Sequence, residues 1–222
     1  MNNNYERATI YGYWPEYHSA YQAFLAEQAE INKLAHLIGK PSLFSRTFEE
    51  QRPEGFIPML RPTRRNLNEF IHLLDKMISE NINRDFFKGD IPLERQVQRH
   101  DGVVEIERPG TLQLLEEWLS KSCRTADGED VSREVLSPLK EIRELRQEPA
   151  HKLRDDEYDR TYPQRQDEIL DEACRALTKL RCILWSHPRA RERYSPPDWL
   201  DSDRIVFLLG SSPTGAMQWL CC

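Results

Sequence analysis

One arginine and one histidine in the second half of the chain have the types and spacing needed for acid–base chemistry on RNA. Arg146 and His151 are separated by four residues. A histidine has a pKa near neutrality, so it can take a proton from a ribose 2′-hydroxyl or give one to a leaving oxygen. A guanidinium can hold a phosphate and the charge of its transition state. The pair therefore predicts phosphodiester chemistry that requires no metal.

The same spacing rule accepts three further pairs in this arginine-rich chain: Arg65 with His72, Arg95 with His100, and Arg181 with His187. Arg65, which Asn66 follows, is the main alternative, because residues seven apart lie on the same face of a helix. A structural role is also open for the favoured pair. Arg146 could cap a helix or pair with Glu148, and His151 could be an ordinary loop histidine.

Local context favours Arg146 and His151 over the other pairs. The helix predicted before Arg146 has an apolar face made by Val135, Leu139 and Ile142. In an unbroken helix, residues five apart point about 140° away from each other. Pro149 interrupts the helix, so the two side chains can converge. Arg146 continues the spacing of the apolar face, which predicts a partly buried stem and a head at a helix-packing surface.

The segment from Pro138 to Leu153 resembles the signature of the HEPN family (higher eukaryotes and prokaryotes nucleotide-binding). That family carries an arginine, often followed by a polar residue, and a histidine after four to six intervening residues. The resemblance covers residues 111–187. It implies metal-independent RNA cleavage at a cleft that two copies of the motif form in a dimer. Arg146 and His151 would be catalytic, with Gln147 orienting groups nearby, and the flanking Arg143 and Lys152 would bind the substrate.

Apolar residues at helical spacing predict a chain made mainly of helices. We expect helices over about 15–38, 62–78, 111–120, 131–146 and 163–186, with Gly39 and Pro41 ending the first of them. The second helix carries an apolar stripe made by Leu67, Phe70, Ile71, Leu74, Met77 and Ile78. Residues 194–200 are expected to form a strap, 103–106 a short strand or an extended linker, and 204–209 a late strand. The predicted fold class is an all-α antiparallel bundle, HEPN-like, with an additional N-terminal helical region. Cys174 and Cys182 fall inside the last long helix, where a thiol acts as a small apolar group.

We predict three parts along the chain: an N-terminal helical region over 1–105, the HEPN-like bundle over 106–200, and a C-terminal strap and tail over 201–222. The first region can also pack within the same domain as the second. A seam between them, if there is one, falls within 83–110.

Composition narrows the classes of function. The net charge of −6 provides no global basic field, so any contact with RNA must be local. Five cysteines form no zinc-binding quartet, and there is no phosphate-binding glycine loop, HExxH or GxSxG motif, so we predict no metal and no cofactor. No stretch approaches the roughly 18 apolar residues of a membrane span. The start MNNNYERAT lacks a signal-peptide core, so a cytoplasmic location is expected.

Three functional hypotheses follow. The first is an endoribonuclease of toxin or defence type, acting as a homodimer on RNA, with an antitoxin or a defence effector as a possible protein partner. The second is a non-catalytic HEPN-like helical adaptor that dimerises or docks on a larger effector. The third is a nucleotide-binding accessory of a nucleotidyltransferase. The enzyme requires Arg146 and His151 to converge in an open cleft, whereas the adaptor requires only apolar helix faces.

Overall fold

The structure is a computed structural model that describes residues 17–48, 51–98, 104–122, 131–147, 156–202 and 205–206. It is mostly helical, which confirms the predicted class at that level. The helices are α1 (Ala20–Leu37), α2 (Arg64–Asp75), α3 (Thr111–Ser122), α4 (Val131–Gln147), α5 (Tyr162–Trp185) and the short α6 (Pro188–Arg191). A π-helix (Lys76–Glu80) continues α2, and a 3₁₀ helix spans Arg84–Phe87. Within the described ranges, no helix is long and apolar enough to cross a membrane.

Helix α1 begins later than the sequence pattern predicted. Ser19 is its N-cap, because the Ser19 hydroxyl accepts a hydrogen bond from the backbone N–H of Gln22. The side chain of Gln22 accepts one from the backbone N–H of Ser19 in return, which completes a capping box. The start predicted at residue 15 is therefore wrong, since residues 17–19 are not helical. The predicted end is confirmed by Gly39, whose φ of 88° takes the chain out of the helix.

The core is one cluster of buried apolar side chains with members from α1 to α6. Helix α5 packs against both α1 and α4, and α4 also packs against α2 and α3. Thr63 is the N-cap of α2, since its hydroxyl accepts a hydrogen bond from the backbone N–H of Asn66. The apolar stripe predicted for α2 and its extension is buried throughout: Leu67, Phe70, Ile71, Leu74, Met77 and Ile78.

The π-helix sets the direction of two acidic side chains. Residues five apart diverge on an α-helix, but the i→i+5 hydrogen bonds of a π-helix bring them to one side. Asp75 and Glu80 are related in this way. Side chains from elsewhere bond to the carbonyls of this segment: Gln28 Nε2 donates to Met77 O at 2.7 Å, and Thr111 Oγ1 donates to Ser79 O at 2.6 Å. Neither the π-helix nor these bonds had a signal in the sequence.

Four short strands form two small sheets. Strand β1 (His18–Ser19) pairs in parallel with β4 (Ile205–Val206), and β2 (Arg95–Gln98) pairs antiparallel with β3 (Val104–Glu107). The strand predicted near residues 103–106 is confirmed as β3. The late strand predicted at 204–209 is confirmed at residues 205–206, and its other positions lie outside the described residues.

The strap after α6 lies beside β1, directly before α1. The ring of Trp199 stacks on that of His18, with 3.9 Å between ring centroids. Tyr194 packs edge-on against Trp185 at the end of α5. The strap predicted at residues 194–200 therefore connects the end of α5 to the start of α1.

Candidate functional site

Arg146 lies in the last turn of α4, one residue before the helix ends. Its Nη1 donates to the carboxylate of Asp75 and to Glu80 Oε1, the second bond being 2.6 Å long. The Arg146 side chain is 27% exposed, whereas the Asp75 side chain is fully buried. The guanidinium thus sits where α4 packs against α2 and the π-helix, which confirms the predicted burial of its stem.

The two ion pairs use only one nitrogen of Arg146. Among the described residues, no hydrogen bond joins Nε or Nη2 of Arg146 to another group. The hydrogen bonds that Arg146 donates to Asp75 and Glu80 raise the pKa of Arg146, so the guanidinium remains charged. The guanidinium is thus held on one side only, and the three N–H groups on Nε and Nη2 can bind an anion.

Asp75 depends on this contact for its charge compensation. Its second oxygen, Oδ1, is buried and has no hydrogen-bond partner in the described part of the chain, and the same holds for the hydroxyl of Ser79. A buried carboxylate is costly unless it is paired. Arg146 is the only cation paired with Asp75 within the described ranges, so it has a structural role whatever else it does.

The other predicted site residues are placed only in part. Arg143 lies one turn before Arg146 and is partly buried, and Gln147 is exposed at the end of α4. His151 and Lys152 lie outside the described residues. The convergence of Arg146 with His151 therefore stays a prediction.

The partners of Arg146 were missed in the sequence. The alternative considered there was Glu148, which lies outside the described residues. Asp75 and Glu80 are 71 and 66 positions away from Arg146 along the chain, so no local pattern connects them. A partial signal was present in Asp75 itself, because it lies four residues after Ile71 and three before Ile78, on the apolar side of the helix, where a carboxylate requires a partner.

The alternative pair, Arg65 with His72, lies on the exposed side of α2. Arg65 Nε donates to Glu69 Oε1 at 2.8 Å, one helical turn away. Asn66 Nδ2 donates to the carbonyl of Arg61 at 2.9 Å. Within the described residues, no hydrogen bond or ion pair joins Arg65 to His72. These contacts describe a charged outer face of a helix.

Among the described residues, the most deeply buried ion pair involves Arg181 in α5. Arg181 Nε donates to Glu27 Oε2 at 2.7 Å, and both side chains are fully buried. Arg181 also pairs with Asp201 at the end of the strap, and Thr178 Oγ1 donates to Glu27 Oε1 at 2.7 Å. Burial alone would lower the pKa of Arg181, but the charge of Glu27 and the hydrogen bonds to both carboxylates raise it. Arg181 therefore stays charged and joins α5, α1 and the strap.

Arg181 and His187, which also fit the arginine–histidine spacing, therefore both have structural roles. His187 is the N-cap of α6, where its Nδ1 accepts a hydrogen bond from the backbone N–H of Arg189. A sequence signal for the partner of Arg181 did exist. Phe24 and Ile31 lie seven residues apart on one apolar face of α1, and Glu27 occupies the helical position between them. A carboxylate on an apolar helix face predicts a buried cation opposite it.

A further charged cluster surrounds Asp90. Asp90 Oδ2 accepts hydrogen bonds from Lys40 Nζ at 2.5 Å and from Trp118 Nε1 at 2.6 Å. The ammonium of Lys40 lies 4.9 Å from the centroid of the Phe86 ring. Partial burial would raise the pKa of Asp90, but the hydrogen bonds and the charge of Lys40 lower it overall. The cluster connects the segment after α1 with α3.

This lowered pKa predicts a loss of stability in acid. A group whose pKa is lower in the folded state stabilises the fold above its unfolded pKa and loses that contribution as the pH falls through its folded pKa. We expect the free energy of unfolding to fall below about pH 4, and to fall less in Asp90→Asn than in the wild type. Urea denaturation between neutral pH and about pH 3 measures this. Asp85→Asn, at an exposed aspartate without an ion pair among the described residues, is the control. If the free energy of unfolding fell equally with pH in the wild type and in Asp90→Asn, the lowered pKa of Asp90 would be contradicted.

Metal and thiol chemistry have little support among the described groups. No cluster of three or more His, Cys, Asp and Glu side chains within the described ranges could hold a metal ion. Cys174 is partly buried against the core, and desolvation raises the pKa of its thiol well above the usual range. Its sulfur faces the carbonyl of Ala20 at 3.6 Å, so it acts as a packed, protonated group.

Comparison with known proteins assigns no family, because no protein-family model matches the chain and no curated protein or solved structure is significantly similar to it.

Proposed function

We propose that this chain is a metal-independent endoribonuclease of toxin or defence type with a HEPN-like helical bundle. The observation that carries the proposal is the tethered guanidinium of Arg146. Its Nη1 is held by Asp75 and Glu80, while Nε and Nη2 have no partner among the described residues. A guanidinium restrained on one side presents its other donors in a fixed direction, which favours binding of a phosphate.

The proposed chemistry is a transfer within the RNA strand. A neutral histidine, assigned to His151, takes the proton of a ribose 2′-hydroxyl, and the oxygen attacks the adjacent phosphorus. The bond from phosphorus to the 5′-oxygen breaks, and a protonated histidine supplies the proton that this leaving oxygen requires. Arg146 stabilises the charge on the phosphoryl oxygens. In a dimer, the two histidines of the two copies can take the two roles.

The neighbouring residues have supporting roles in this proposal. Gln147, exposed at the end of α4, orients the reacting groups. Arg143, one turn away, contacts a flanking phosphate together with Lys152. Such contacts are local, in keeping with the overall net charge of −6.

The decisive experiment is cleavage of a mixed RNA pool in the presence of EDTA. We expect the wild type to cleave and His151→Ala to lose about 10²–10⁴-fold in rate, which is the usual contribution of a general acid or base. Arg146→Ala is expected to lose activity as well. The matched control is the double variant Arg65→Ala/His72→Ala, which removes the other arginine–histidine pair and is expected to retain activity.

Two outcomes would overturn the assignment. Cleavage retained in both His151→Ala and Arg146→Ala would exclude this site and direct attention to Arg65 and His72. A wild-type protein that cleaves no RNA, alone or with candidate protein partners, would remove the nuclease proposal.

The second candidate function is a non-catalytic helical adaptor, and the same contact favours it. The ion pairs of Arg146 with Asp75 and Glu80 join α4 to α2 and the π-helix. This bridging accounts for the position of Arg146 without any substrate. The two functions differ in one measurable respect, because only the nuclease requires Arg146 once the fold is otherwise maintained.

A further inference from the structure

An apolar hollow lies on the surface between α2 and the loop that precedes it. Its volume is about 510 Å³, and its apolar walls come from the loop and from one side of α2: Ile57, Met59, Leu60, Phe70 and Leu73. Leu60 stands at its edge with 87% of its surface exposed, the largest exposure of any large apolar residue among the described ranges. A large exposed apolar group next to an apolar hollow is typical of an interaction surface.

The loop that carries Leu60 is held firmly in place. The ring of Phe56 is buried against Tyr21 and Phe70, with centroid distances of 5.1 and 6.1 Å. Gln166 of α5 bonds the loop twice, accepting from the backbone N–H of Met59 at 2.8 Å and donating to the carbonyl of Ile57 at 3.0 Å. The exposure of Leu60 is therefore not the result of a loose loop. A loop whose backbone is fixed in advance loses little backbone entropy when it is bound.

The surface around the hollow has both a projecting apolar group and a recess that can receive one. Leu60 is a projecting apolar group, and the hollow beside it is a matching recess. Under a two-fold axis, Leu60 of each copy can enter the hollow of the other, and such an isologous contact closes on itself.

The charges at the rim agree with this arrangement. Glu54 and Arg61 are exposed at the hollow and have no ion pair within the described residues. They have opposite signs, so a two-fold axis can place Arg61 of each copy opposite Glu54 of the other. A partner of one predominant charge would match only one of these two groups, whereas a second copy matches both.

We propose that the patch formed by residues 54–61 with Phe70 and Leu73 is the interface between two copies of this chain in an isologous dimer. The inference goes beyond the proposed function, because it assigns a surface to the assembly and does not require Arg146 or His151 to be catalytic. The patch supplies Leu60 as the apolar anchor, and Arg61 with Glu54 as the pair that sets its register.

The first test is the mass of the full chain in solution, measured by sedimentation over a range of concentrations. We expect a dimer for the wild type and an increase of about 100-fold or more in the dissociation constant of Leu60→Glu, since each interface contains the leucine twice. The fold should be unaffected because Leu60 is exposed. The matched control is Ile106→Glu, at an isoleucine of β3 that is 59% exposed, and it should dimerise like the wild type.

The second test reverses the rim charges. Arg61→Glu alone and Glu54→Arg alone should each weaken the dimer, because each places like charges opposite one another twice. Mixing the two single variants should restore dimers, since both pairs are then of opposite sign, and so should the double reversal in one chain. Recovery on mixing requires that the two residues face each other across two copies.

Three results would overturn the proposal. They are a wild type that stays monomeric at every concentration, a dimer that Leu60→Glu leaves intact, and charge reversals that mixing does not rescue. A monomer would assign the hollow to a different partner. RNA cleavage by the same preparations reports separately on the nuclease proposal, so either proposal can fail while the other holds.

Discussion

Arg181→Met is expected to lower the free energy of unfolding by about 3–5 kcal/mol. Glu27 would lose its counter-ion while its side chain remains fully buried, and Asp201 would no longer be tied to α5. An uncompensated buried charge costs far more than the ion pair itself contributes. Urea denaturation of the full chain, with the slope and the midpoint analysed separately, measures the change.

A second substitution and a control make this prediction specific. Glu27→Gln in the Arg181→Met background removes the uncompensated charge and should recover a large part of the loss. Arg165 lies on the same helix but its side chain is 40% exposed, with 3.4 Å contacts to Glu141 and Glu168. Arg165→Met should therefore cost no more than about 1 kcal/mol. Equal losses for Arg181→Met and Arg165→Met would show that burial of the pair has no energetic consequence.

Arg146→Ala is expected to have two separable effects. The first is a loss of stability of about 1–3 kcal/mol, because the buried carboxylate of Asp75 would lose its ion partner. The value should be smaller than for Arg181, since Arg146 is partly exposed. Asp75→Asn in the Arg146→Ala background removes the buried charge and should restore most of the stability.

The second effect of Arg146→Ala is on RNA cleavage, and it is expected only if the chain is a nuclease. If the nuclease proposal is correct, Arg146→Ala/Asp75→Asn should be folded and stable yet cleave RNA about 10²–10³-fold more slowly than the wild type. Arg146→Lys should keep a charge next to Asp75 but lose the forked geometry, so it should be closer to normal in stability than in activity. If cleavage survives in the stabilised double variant, Arg146 is only a structural residue.

Much of the secondary structure could be predicted from the sequence, because helices are stabilised by contacts between residues three and four apart. The stripe of α2 and the end of α1 at Gly39 were both read from local patterns. The start of α1 was not, because the capping box of Ser19 and Gln22 outweighs the apolar residues that precede it. The π-helix was missed as well, since its local apolar spacing resembles that of an α-helix.

The sequence by itself determined which residues are candidates for chemistry: Arg146 and His151 in one segment, with Gln147 between them. Only the tertiary structure decided what surrounds Arg146, because Asp75 and Glu80 come from a helix about 70 positions away and meet it where α4 packs on the π-helix. The same is true of Glu27 and Arg181, which lie 154 positions apart. The periodicity of a sequence shows which residues share one side of a helix. The partner of a buried charge depends instead on how separate helices pack against each other.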